Sequence, residues 1–134
     1  MIKNGFYSYG SKALDGVDGG DSGVMVLRDG GILGGTSFFY FIGTYSCSGG
    51  RWKGEITHQE HNPAPQTHYP MAGRIVTAGF AGTYTDEGAE FEATALVGKR
   101  SLRYHAGLRL LMGDRPSAIL SLDIGSEGLR ASGR

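Results

Sequence analysis

The chain has 134 residues, enough for a single domain with its own core and no need of disulfides. Its 13 basic and 13 acidic residues cancel and form no Lys/Arg run, which argues against nucleic acid and against an anionic membrane surface as partners. Glycine is the outlier at 24 residues, about 18% against an average near 7%, with four prolines and no glycine period, which excludes collagen-like and simple linker chains.

In chain order, a first strand is predicted near residues 4–9, followed by an Asp/Gly stretch holding Asp15, Asp18 and Asp21. That stretch lacks the terminal Glu of a calcium loop. Strands near 23–28 and 31–34 flank Asp29-Gly30-Gly31, a pair of residue types that tolerates positive φ as hairpins require. Thr36 to Phe41 is ambiguous, because Phe38, Phe39, Tyr40 and Phe41 are apolar all round. Thr36 or Ser37 could cap a helical turn, and the reading leans to one short helix closing a barrel mouth. After the Ser48-Gly49-Gly50 turn, a strand near 51–58 sets Trp52, Gly54 and Ile56 against Arg51, Lys53, Glu55 and Thr57. Residues 62–70, with three prolines, read as a loop. Strands near 73–85, 89–98 and 102–112 follow. In the last two, Phe91, Ala93, Ala95 and Val97, then Leu102, Tyr104, Ala106, Leu108 and Leu110, alternate with polar residues.

A period of two with one polar face marks antiparallel strands with one side in a core. Short strands at regular spacing with hairpin signals predict an all-β domain, and closure into a barrel of about seven or eight strands would remove exposed edges. The barrel is expected over 1–112. Residues 113–134 are expected to be a loosely ordered tail, or to add one edge strand over Ala118–Ile124.

Asn4-Gly5-Phe6-Tyr7, Gly23 to Gly30, Ile32-Leu33-Gly34-Gly35 and Tyr40 to Tyr45, in that order, resemble the GrlR family, negative regulators of type III secretion gene expression. The resemblance covers roughly residues 1–112. It implies a lipocalin-like barrel with a short helix, usually self-associating, that silences transcription by binding a transcriptional activator through an acidic surface loop. The position of that loop corresponds here to Ser46, Cys47, Ser48, Gly49 and Gly50, followed by Arg51, and none of these is acidic. A basic partner surface would find no carboxylate there. Gly35-Thr36 likewise stands where the family has Gly-Asp.

No catalytic constellation is visible, and no cofactor is expected. His58, His61, His68 and His105 fall on different faces and loops, whereas zinc needs three or four converging ligands, so surface histidines are the favoured reading. Cys47, in a Ser/Gly turn, shows no neighbouring base, and its being the single cysteine fits a reducing compartment. The N-terminal residues lack a signal-peptide pattern and no apolar run reaches the roughly 18 residues of a membrane span, which predicts the cytoplasm.

By parity Trp52, Phe80, Tyr84 and Tyr104 point inward with Gly54, Ala78, Gly82, Ala93, Ala95 and Ala106, and His58 joins them. The small residues either interdigitate with the rings, which is favoured, or leave a cavity for one apolar ligand with His58 as its polar anchor. Two functions follow. The first is a non-enzymatic regulatory binding protein that acts through a protein partner as a homodimer. The second is an intracellular carrier or sensor of a small apolar ligand.

Overall fold

A computed structural model describes residues 1–14, 20–65 and 71–113. Eight antiparallel strands occupy them: β1 (Gly5–Ala13), β2 (Asp21–Arg28), β3 (Gly31–Thr36), β4 (Phe39–Ser48), β5 (Arg51–Glu60), β6 (Val76–Tyr84), β7 (Gly88–Val97) and β8 (Arg100–Gly113). Each pairs with its sequence neighbours, and β8 pairs with β1 from Gly5↔Gly113 to Ala13↔Tyr104, so the sheet is a closed up-and-down barrel. The register shifts between Phe6 and Tyr7, leaving Leu111 as the extra residue of a bulge where the two terminal strands meet. No helix among the described residues is long and apolar enough to cross a membrane.

The all-β barrel is as the alternation predicts, and the short helix is a correction. Thr36 does act as a cap, its Oγ1 accepting from the amides of Phe38 (3.3 Å) and Phe39 (3.2 Å), but it closes a tight turn between β3 and β4. From Phe39 the chain is extended, with Phe39 and Phe41 inside and Tyr40 and Ile42 outside. The period is hidden in the sequence because both faces of β4 carry apolar side chains. The expected strand near 73–85 starts later, at Val76, and β8 runs one residue past the expected end of the barrel. The tail expected beyond it, with its possible edge strand, lies outside the described residues, as do Asp15, Asp18 and His68.

The lumen is packed by a size pattern that runs across the strands. One row reads Tyr45, Gly54, Phe80, Ala93, Tyr104 from β4 to β8, and the next reads Trp52, Gly82, Phe91, Ala106 from β5 to β8. Every large ring therefore has a glycine or alanine beside it, and ring and gap interlock. The Trp52 ring lies 4.8 Å from Phe80 and 5.7 Å from Phe91, with Phe80 and Phe91 4.7 Å apart. Edge-to-face and tilted contacts of this kind add about 0.5–1.5 kcal/mol per pair beyond their buried area.

The same crowding fixes the backbone. A Cβ on Gly54 would run into the Thr44 carbonyl and the Tyr45 Cα of β4, whereas one on Gly79, on the outer face, would meet nothing within 4 Å. Gly54→Ala should therefore cost roughly 1–3 kcal/mol through forced backbone shifts, and Gly79→Ala should be neutral or stabilising by up to about 1 kcal/mol. Paired urea unfolding curves check this; equal effects at the two sites would contradict the packing described.

Candidate functional site

Three places on the barrel combine the residue types that binding requires: the lumen, the β4–β5 hairpin and the outer wall of β1 to β4.

The structure divides the expected lumen set between the two ends of the barrel. Trp52, Phe80 and the half-buried Tyr84 lie toward the end carrying the 48–51 and 84–88 turns, where Trp52 Nε1 donates to the Glu90 carbonyl at 3.0 Å. His58 and Tyr104 lie toward the other end, sharing a hydrogen bond of 3.0 Å between Nε2 and Oη. Phe91 joins the groups, 5.7 Å from Trp52 and 6.1 Å from Tyr104. Parity does not single out Tyr9 and Phe41, whose rings are 5.0 Å apart, with Phe41 5.2 Å from His58. Their strands carry apolar residues on both faces, so alternation alone does not say which side faces in.

Three polar groups of the lumen, Tyr9, Tyr104 and His58, lie together, while the Tyr45 hydroxyl is buried without a partner. The Tyr104 hydroxyl interacts with that of Tyr9 as well as with His58, and Tyr9 reaches the Ser11 side chain near the barrel mouth. Burial pushes the Tyr9 hydroxyl up to about 12 and Tyr104 well above its ordinary value, so both stay protonated. Burial lowers His58 to about 4; the nearby Val76 backbone opposes this in part but does not reach hydrogen-bond geometry with Nδ1, which is buried without a partner. The imidazole is neutral at pH 7. His61, by contrast, is exposed and bonds the Thr36 carbonyl at 2.9 Å, and His105 lies 3.0 Å from Glu90 on the outer wall. No group of three metal-ligating side chains occurs among the described residues.

The hairpin expected to meet a partner, Ser46 to Arg51, forms a tight turn with Gly49 and Gly50 at φ 61° and 81°. The Gly50 carbonyl accepts from the Tyr84 amide at 3.0 Å, which fixes the turn against β6. With Lys53 and Ala81 it lines an open cleft of about 420 Å³. Cys47 is half-buried, opposite Trp52 on the inward-facing side. Arg51 and Lys53 are the charged groups that line the cleft.

The outer wall carries a feature that strand-by-strand reading misses. Met112 of β8, Phe6 of β1, Val26 of β2, Leu33 of β3 and Ile42 of β4 are successive register partners, forming one apolar row around the barrel. Val24 and Tyr40 extend it, and these seven side chains are between 37% and 61% exposed. Arg28, Glu55, Gln59 and Arg109 border it. A shallow groove of about 350 Å³ crosses its Leu33–Ile42 end. The signal in the sequence is the same one that hides the period of β4: apolar residues where the outward face should be polar.

Compared with known proteins, the chain matches no family model and no curated relative.

The buried neutral His58 gives a pH prediction. Its folded value lies below the ordinary 6.5, so the unfolded chain binds the extra proton, and stability is full above pH 6.5 and falls as pH drops toward about 4. The loss from this group should reach roughly 3 kcal/mol, at about 1.4 kcal/mol for each pH unit separating the folded and unfolded values. In His58→Gln, this slope should vanish between pH 6.5 and 4. Unchanged pH dependence of melting in the variant would show that His58 is not buried neutral.

Proposed function

We propose that this chain is a non-enzymatic cytoplasmic regulatory binding protein of the GrlR kind, working through protein contacts on the outside of its barrel and self-associating as a homodimer. The apolar row across β8, β1, β2, β3 and β4 carries this reading. Contiguous exposed apolar patches beyond roughly 300–600 Å², rimmed by polar side chains, mark protein contact surfaces.

The row contains no charged side chain, so its complement is another apolar surface, and a two-fold axis would supply the same row from a second copy. Zero formal net charge leaves no long-range repulsion to oppose that pairing. A standard interface buries about 800 Å² per partner, of which this row would form the apolar centre and the bordering polar side chains the rim. Unpaired edges are not the route to association, because the closed sheet has none.

The second reading is a carrier or sensor of a small apolar ligand, and the partnerless Nδ1 of His58 favours it. It ranks second because the glycines and alanines of the lumen lie beside rings that use their space.

Sedimentation of the wild type should show a dimer at concentrations on the order of tens of micromolar. Leu33→Asp with Ile42→Asp should yield a monomer whose melting temperature is nearly unchanged, since exposed substitutions usually stay within about 0.5 kcal/mol. A monomeric wild type, or a variant that still dimerises, would refute the role of this wall. For the lumen, Ala106→Phe should cost roughly 1–3 kcal/mol by overpacking, and Trp52 fluorescence should not respond to lipids or aromatic metabolites. A saturable response lost in Ala106→Phe would reverse the order of the two readings.

A further inference from the structure

The outer face of the β4–β5 hairpin carries two cations, Arg51 and Lys53, that form no ion pair among the described residues. Arg51 and Lys53 project outward from alternate positions of β5, beside Ser46 and Ser48 of β4 and Ala81 and Thr83 of β6. All four of these neighbours are small, so the two long side chains stand above a low floor at the open cleft of about 420 Å³. Neither cation has a carboxylate partner among the described residues.

Of the acids nearest them, Glu90 and Glu92 are engaged elsewhere, and Glu55, two positions beyond Lys53 on the same face, makes no ion pair with it. Glu92, across β6, is paired with Arg103 at 3.0 Å. Glu90 takes Thr83 Oγ1 at 2.8 Å and His105 at 3.0 Å. Burial raises the Glu90 carboxyl, but these bonds outweigh it and hold the group below its ordinary range, committed as an anion to those partners.

We infer that the Arg51–Lys53 face is a docking site for a short extended acidic segment of a partner protein, with carboxylates two residues apart. This rests on the reading that the chain works through protein contacts and adds the chemistry of the partner. Same-face residues on an extended chain repeat about every 6.6–6.8 Å. The carboxylates of a Glu-x-Glu segment running along β5 therefore meet Arg51 and Lys53 in step, while Ser46 and Ser48 offer hydroxyl donors. The closed barrel offers no strand edge, so recognition is by side chains rather than by strand addition. A long polyanion fits poorly. Glu55 follows Lys53 on the same face, Glu90 and Glu92 lie across β6, and two cations release few counterions.

The test is amide chemical-shift mapping of the full chain titrated with acetyl-Ser-Glu-Ser-Glu-Ser-amide, with the matching Lys peptide and a single-stranded oligothymidylate as comparisons. Shifts should concentrate at Ser46 to Lys53 and at Ala81 and Gly82, weaken with salt, and lose about tenfold in affinity in Arg51→Gln with Lys53→Gln. The Lys peptide should produce none. Shifts elsewhere, an unaffected double variant, or tighter binding of the oligothymidylate would overturn the inference. Sedimentation of the same sample separates the two proposals. A dimer with a silent cleft removes only this site, whereas a monomer with an active cleft removes only the self-association wall.

Discussion

The pairing of β8 with β1 is the constraint from which the other features follow. Once Gly5 to Ala13 take Tyr104 to Gly113 as partners, every strand has two neighbours and the sheet has no edge. The backbone groups of the strands then satisfy one another, which removes the usual route by which β proteins meet other chains. What remains is an inside and an outside. With eight strands the inside is narrow, filled by side chains or left with room for one small ligand, and rings alternate with glycine and alanine across it from β4 to β8. Gly54 and Gly82 serve this packing twice, giving room to Phe80, Trp52 and Phe91 and letting neighbouring backbones approach where a Cβ would collide.

Burial gives the polar groups of the lumen a structural role. Tyr9, Tyr104 and His58 are held neutral by burial and linked to one another, so the barrel closes over them without a buried charge. The lumen's cost is two unmet hydrogen bonds, at His58 Nδ1 and the Tyr45 hydroxyl, each of the kind that destabilises by about 1–3 kcal/mol. The outside is divided into regions of different character. Apolar residues run from β8 through β1 to β4, an ion pair and a histidine–carboxylate pair link β7 and β8, and two cations stand at the β4–β5 hairpin. Such a division suits a protein that presents more than one contact surface on a rigid frame.

The parts of this arrangement legible in the sequence are those where one face of a strand is polar. β5, β7 and β8 alternate Trp52, Gly54 and Ile56, Phe91 to Val97 and Leu102 to Leu108 against charged neighbours, and their inward sets are as parity predicts. β1 and β4 carry Phe6, Tyr40 and Ile42 outside as well as Tyr7, Tyr9, Phe39 and Phe41 inside. With both faces apolar, the period of β4 is masked, its start reads as a helix, and Tyr9 and Phe41 go unassigned. The grouping of Tyr104 with His58 rather than with Trp52 is illegible for a different reason. Position along a barrel axis depends on strand stagger, which arises from inter-strand register rather than from any one strand's residues. The apolar row on the wall is likewise a property of register, visible only when five strands are laid side by side.

Native mass spectrometry of the chain isolated from its own cells tests most directly whether the outside of this barrel, rather than its lumen, is the working surface. The account predicts masses that are sums of protein chains, the homodimer among them, with no small molecule retained. A monomer carrying one stoichiometric small-molecule mass would contradict it and make the lumen the functional site.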